Sequence, residues 1–133
     1  MRLLVHVDGG ARGNPGPAAI GAVLSTPEGE VLDEVSERIG EATNNVAEYR
    51  ALLLGLERAR ALGATKVEVI NDSELVARQV NGAYKVKHAG LRPLYDRAMA
   101  ALEGFDRWSL RSVPREQNAH ADQLVNAALD GPA

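Results

Sequence analysis

Apolar positions change their period several times along this chain, and each change marks an element. Leu3, Val5 and Val7 alternate with Leu4 and His6, so residues 2–8 read as a strand that ends on Asp8. Residues 9–17 hold four glycines and two prolines, a composition that predicts neither helix nor inner strand. Residues 19–26 form a second strand. The turn Pro27-Glu28-Gly29-Glu30 leads into a third at 31–39, with Val31, Val35 and Ile39 on one face. Three strands on short connections make an antiparallel meander. The period then lengthens. Val46, Tyr49, Leu53, Leu56 and Leu62, with Ala47, Ala51 and Leu54 between them, predict a buried helix over 45–62, closed by Gly63. Val67, Val69 and Ile70 mark a fourth strand at 66–71, and a short helix follows from Ser73 towards Val80. After a polar connection at 81–90, a helix begins near Leu91 with Pro93 in its first turn. Its stripe is Leu91, Leu94, Tyr95, Ala98, Met99, Leu102 and Phe105. A fifth strand at 108–113 and a last helix at 119–129 complete the order βββαβααβα, an α/β chain of one domain over residues 1–133.

Composition narrows the chemistry. The 133 residues carry 15 basic and 18 acidic side chains, a net charge of −3, so bulk positive charge does not hold a polyanion. There is no cysteine, which removes disulfides, thiolate metal sites and thiol nucleophiles. No run approaches the roughly 18 apolar residues of a membrane span, and no signal peptide opens the chain, so a cytoplasmic protein is expected.

Four acids stand out by position. Asp8 ends the first strand and Asp72 follows the fourth, while Glu48 and Asp122 lie in the first turns of the long helix and the last helix. If the carboxyl end of the first strand is the top, the meander starts the long helix there. Parallel right-handed crossovers then return the fourth strand and the last helix to the same end. Each acid has an ordinary reading. Glu48 completes a capping box with Asn45, Asp72 is an N-cap, Asp122 favours a helix dipole, and Asp8 makes an Asx turn. Together they form a self-repelling cluster that calls for a cation. All-oxygen donors point to Mg²⁺ or Mn²⁺ rather than zinc.

These motifs carry a resemblance. Asp8-Gly9-Gly10-Ala11-Arg12-Gly13-Asn14-Pro15-Gly16-Pro17, Thr43-Asn44-Asn45-Val46-Ala47-Glu48, Asn71-Asp72-Ser73 and the stretch from Asn118 to Asp122 resemble ribonuclease H type 1, in order and over essentially the whole chain. The resemblance implies a ribonuclease H-like fold, a five-stranded mixed sheet with helices on both faces. It implies a monomeric endonuclease that hydrolyses the RNA strand of RNA–DNA hybrids with two Mg²⁺ or Mn²⁺ ions. Asp8, Glu48, Asp72 and Asp122 match the metal-binding and catalytic carboxylates. Asn14, Asn44 and Asn45 match hybrid contacts, and Thr43 matches a contact to a DNA phosphate. Gly9, Gly10, Arg12 and Gly13 line the same substrate loop, where short side chains and backbone N–H groups suit close approach to phosphates and 2′-hydroxyls.

The departures are specific. Residues 81–90 are too short for the basic helix and loop of many bacterial members, and no N-terminal hybrid-binding domain is expected. A local excess of positive charge remains, with Arg78, Lys85, Lys87, Arg92 and Arg97 against Asp96; Lys85 and Lys87 are the substrate contacts expected there. Tyr84 reads equally as a stacking or a buried residue. Where some members place a histidine before the last acid, this chain has Arg115, the candidate auxiliary group for product release, while His120 reads as a surface residue. Glu74 stands where relatives carry a glutamine. Two other classes stay open: a non-catalytic hybrid-binding module of this fold, which would have lost an acid, and an ATP-handling enzyme, for which no Lys-Ser/Thr phosphate loop is found.

Overall fold

A computed structural model describes residues 1–131. In chain order the elements are β1 (Arg2–Ala11), β2 (Gly16–Ser25), β3 (Val31–Ala42), α1 (Asn44–Ala61), β4 (Lys66–Asn71), α2 (Glu74–Val80), α3 (Arg92–Glu103), β5 (Arg107–Ser112), a 3₁₀ turn (Arg115–Asn118) and α4 (Ala119–Asp130). The order matches the one read from hydrophobic period. The sheet runs β3-β2-β1-β4-β5, with β1 antiparallel to β2 and parallel to β4, and β4 parallel to β5. The meander and the two parallel crossovers are as expected, and they place β1 in the centre.

The two faces of the sheet take different helices. Leu3, Val5 and Val7 on β1, Ala22 and Leu24 on β2, and Val67 and Val69 on β4 are fully or almost fully buried. Gly55 of α1 sits against Val5 and Val7, where an added Cβ would come within 2.6 Å of a Val7 methyl, so a glycine lets α1 lie flat on this face. Tyr49, Leu52 and Leu56 of α1 fill the layer between, and each such buried side chain contributes about 1.5–3 kcal/mol. The Tyr49 hydroxyl donates to Gln79 Oε1 of α2, which satisfies both groups inside the core. On the opposite face α4 packs through Leu124 and Val125 over Gly21 of β2. Helices on both faces are therefore found.

The strands differ from the sequence reading at several points. β1 continues through Gly9, Gly10 and Ala11, which pair with Ile20, Ala19 and Ala18, although the glycine-rich run reads as a loop. The glycine answers a tertiary approach instead: a Cβ at Gly9 would stand 2.2 Å from the Ala47 carbonyl oxygen of α1. β3 extends past Ile39 to Ala42, through Gly40 at φ +77° and a register shift opposite Ala18 and Ala19. A second shift at Leu24 and Ser25 takes Val31 out of the face it shares by count with Val35 and Ile39, and Val31 is 46 % exposed. Among the described residues no helix is long and apolar enough to cross a membrane.

Candidate active site

Asp8 stands on the central strand opposite Gly21 and is 6 % exposed. The next residue, Gly9, admits the start of α1, and its N–H donates to Glu48 Oε1 at 2.8 Å. Glu48 is itself buried, so the strand backbone fixes a carboxylate carried by the helix. The cap of α1 is Thr43, whose hydroxyl accepts from the Val46 N–H at 3.2 Å. Counted from that cap Glu48 falls in the second turn, not the first, and no capping box with Asn45 forms. Asp72 is not an N-cap either, because Ser73 caps α2 by accepting from the Val76 N–H. The fully buried Asn71 accepts from the Ser73 N–H at 3.1 Å and secures the turn that carries Asp72.

Asp8, Glu48 and Asp72 each bring one carboxylate oxygen within 4.8 Å of the others. Burial pushes the Asp8 carboxyl up to about 7, with Asp72 beside it as the next cause. Burial, and then Asp8, holds Glu48 well above the usual carboxylate range. Asp72 is raised by burial and by Asp122. Three acids that resist ionisation at one point mark a strong negative potential. Asp122 lies in the first turn of α4 and faces the same cleft, outside the tight triad. Its Oδ1 accepts from Arg115 Nη2 at 3.0 Å and Nε at 3.3 Å, and its Oδ2 accepts from Asn126 at 3.3 Å.

The cleft has a volume of about 560 Å³ and contains all four acids. Gly9, Gly10, Arg12, Asn44, Asn45 and Arg115 of the expected set also line it. Asn14 and Asn44 brace its rim: Asn14 Oδ1 accepts from the Asn44 N–H, and Asn44 Oδ1 accepts from the Ala11 N–H. Gly13, at φ +97°, turns the loop but does not line the cleft, nor do Asn14, Thr43, Lys85 and Lys87. Lys85 and Lys87 are exposed on either side of the buried Val86. Tyr84 is 49 % exposed with the Arg78 guanidinium 5.4 Å from its ring centre, which overturns the buried reading. His120 is on the surface as expected, 2.6 Å from Glu34.

Two residues escaped the sequence reading. Asn126 follows Asp122 by one helical turn, a spacing that could have flagged it. Asn118, quoted only as part of a motif, is 1 % exposed and donates to the Val7 carbonyl at 2.9 Å, tying the start of α4 to the strand that carries Asp8.

Residues 6–128 match the family described as reverse transcriptase-like. The chain is 31 % identical to a ribonuclease H of Ruegeria pomeroyi, over 96 % of this chain and 92 % of that protein. This chain belongs to the ribonuclease H family. It is 46 % identical to a ribonuclease HI of Halobacterium salinarum, over 97 % of this chain and 65 % of that protein. It is 49 % identical to a protein of Mycobacterium tuberculosis named as bifunctional, over the whole of this chain but 37 % of the relative. The chain therefore spans about a third to two thirds of these two relatives. The ribonuclease H1 crystal structure from Halobacterium salinarum superposes with a TM-score of 0.95 and covers 98 % of each chain. The LC11 ribonuclease H1, solved in complex with an RNA/DNA hybrid, superposes with a TM-score of 0.92 at 44 % identity over 96 % of each chain.

The donor set of this ribonuclease H chain fits a hard divalent cation. Among the described residues its carboxylates have no lysine or arginine within the triad, and of the two guanidiniums lining the cleft Arg115 pairs with Asp122 and Arg12 with Asp130. A cation would offset the burial, and then the mutual repulsion, that raise the three carboxyl groups together.

Proposed function

We propose that residues 1–133 act as one ribonuclease H domain that hydrolyses the RNA strand of RNA–DNA hybrids endonucleolytically. The observation that carries this reading is the convergence of Asp8, Glu48 and Asp72, with Asp122 beside them, in one open cleft. These four residues hold two Mg²⁺ or Mn²⁺ ions. Such ions, when bound, activate a water and stabilise the leaving oxygen of an in-line phosphoryl displacement. The protein supplies placement: β1 fixes Asp8, the Gly9 N–H fixes Glu48, and Ser73 and Asn71 fix Asp72. Gly9, Gly10, Arg12, Gly13 and Asn14, with Thr43, Asn44 and Asn45, form the wall that meets phosphates and 2′-hydroxyls. Lys85 and Lys87 hold the hybrid farther out. Arg115 leaves Asp122 to assist the departing phosphate, as an auxiliary group in product release. The protein works as a monomer.

Attack on phosphorus needs no 2′-hydroxyl, so the choice of RNA lies in recognition by this wall. Labelled RNA–DNA hybrid and DNA duplex of one sequence, incubated with Mg²⁺ and with EDTA, test it. The hybrid alone should be cut, within the RNA strand, and only with Mg²⁺. Equal cutting of the DNA duplex would assign the cleft to another nuclease. Binding of the hybrid without any cutting would make the chain a non-catalytic module.

A further inference from the structure

Part of the sheet face that takes α4 is left uncovered and has a charge of its own. α4 packs over β2 and β1, and the β4–β5 side of that face carries no helix. Register aligns its residues in three cross-strand rows: Arg2, Lys66 and Arg107; Leu4, Glu68 and Ser109; His6, Ile70 and Arg111. The alternate residues of these strands, such as Val5, Val69 and Leu110, point into the core. Four cations thus share the face with one acid. Glu68 accepts from both Arg2, at 2.9 Å, and Arg111, at 3.3 Å. Among the described residues Lys66 and Arg107 have no carboxylate within ion-pair distance, although they stand directly opposite each other. The face holds an excess of three positive charges in a chain whose net charge is −3.

Like charges opposite one another on adjacent strands destabilise a sheet. In the row Arg2, Lys66 and Arg107 only Arg2 has an internal partner, Glu68. The cations also lead somewhere. Arg107 and Arg111 share one side of β5 about 13 Å apart, and the next cation along the chain, Arg115, lines the cleft. Ser112 at the end of β5 pairs with Asn71, the residue before Asp72. The file of charge therefore runs off the acid-lined cleft on one flank, with Arg2, Lys66, Arg107 and Arg111 all exposed along it.

We propose that this face of β1, β4 and β5 binds the phosphate backbone of the nucleic acid where it continues past the cleft. The proposal rests on the reading of the cleft as a hybrid site. Its test is the variant Lys66→Gln with Arg107→Gln, assayed on a hybrid that ends at the cleft and on one extended to either side, over a range of salt. On the long hybrid KM should rise roughly five-fold with kcat unchanged, and the slope of log affinity against log salt should fall by about one to two units. The short hybrid should show neither effect. Lys66→Arg with Arg107→Lys should restore the wild-type values, which separates charge from any change in folding. Equal KM for variant and wild type on the long hybrid would overturn the proposal and leave the cations as guards against edge pairing. A change of oligomeric state in light scattering, with KM unmoved, would overturn it too and assign the face to a second copy of this chain. A wild-type protein that cuts neither hybrid would refute the cleft reading instead.

Discussion

Three of the four cleft carboxylates stand on scaffold fixed by the core, and the fourth stands on the first turn of a surface helix. Asp8 belongs to the central strand, Glu48 is held by the Gly9 N–H, and Asp72 sits between a buried asparagine and a capping serine. Asp122 follows a 3₁₀ turn and is oriented by Arg115 and Asn126, through contacts open to water. Its side chain keeps 22 % of its surface, and Arg115 keeps 71 %. The triad is thus in place before any ligand arrives, whereas polar contacts that a cation or phosphate can replace set the Asp122 arm. Rigid placement of the first and adaptable placement of the second suit a site that must bind, act and release.

The contrast is sharpest in the rate of hybrid cleavage. Asp72→Asn should lower kcat by at least about a hundred-fold, the scale of losing one preorganised electrostatic group. Asp122→Asn should cost about ten-fold, because the arm can reorganise. Single-turnover cleavage with Mg²⁺ compares the two, and equal losses would erase the distinction between them.

Stability against pH probes the triad alone. Asp8, Glu48 and Asp72 all take up protons more readily folded than unfolded. Their contribution is therefore full below pH 3.8, the unfolded value of Asp8 and Asp72, and is lost as pH rises through about 7, the folded value of Asp8. In EDTA the melting temperature should fall by roughly 5–10 °C between pH 5 and pH 8 relative to a triad-neutralised variant. Mg²⁺ should remove most of that fall. A flat profile in EDTA would mean that neither burial nor repulsion raises the three acids in the folded protein.

The scaffold can be attacked without touching a carboxylate. Gly9→Ala would drive a methyl group into the Ala47 carbonyl, and such overpacking costs about 1–3 kcal/mol. Because α1 must move, Glu48 moves with it, so chemical denaturation and kcat should both register the change. The smallest expected effect is that of Lys85→Ala with Lys87→Ala. KM should rise several-fold, for about 1 kcal/mol lost, with kcat unchanged. A fall in kcat would bring that segment into the cleft.

The order of elements was legible because each carries its own period, and the convergence of four acids followed from chain tracing. What the sequence hid lies in contacts between distant segments. The run Gly9-Gly10-Ala11 reads as a loop because nothing nearby in sequence announces that α1 will press against it. Thr43 outcompetes Asn45 as the cap, which shifts Glu48 by a turn. Arg78 to Arg97 was visible as a basic stretch because it is contiguous. Yet Glu74 and Asp96 partly quench it, pairing Arg78 at 2.6 Å and Arg92 at 3.0 Å. The basic sheet face draws Arg2, Lys66, Arg107 and Arg111 from three strands, so only the register reveals it.

Asp8 lies at the centre of the acids proposed to hold the ions for cleavage. Asp8→Asn removes one charge from a self-repelling cluster and leaves the shape of the side chain intact. Cleavage of a labelled RNA–DNA hybrid in Mg²⁺ by the wild type and by Asp8→Asn, each checked by its melting temperature in EDTA, is the most direct measurement. Cleavage should be abolished while the variant melts at the same temperature as the wild type or higher. Near-full cleavage by a folded Asp8→Asn protein would contradict that role of the acids.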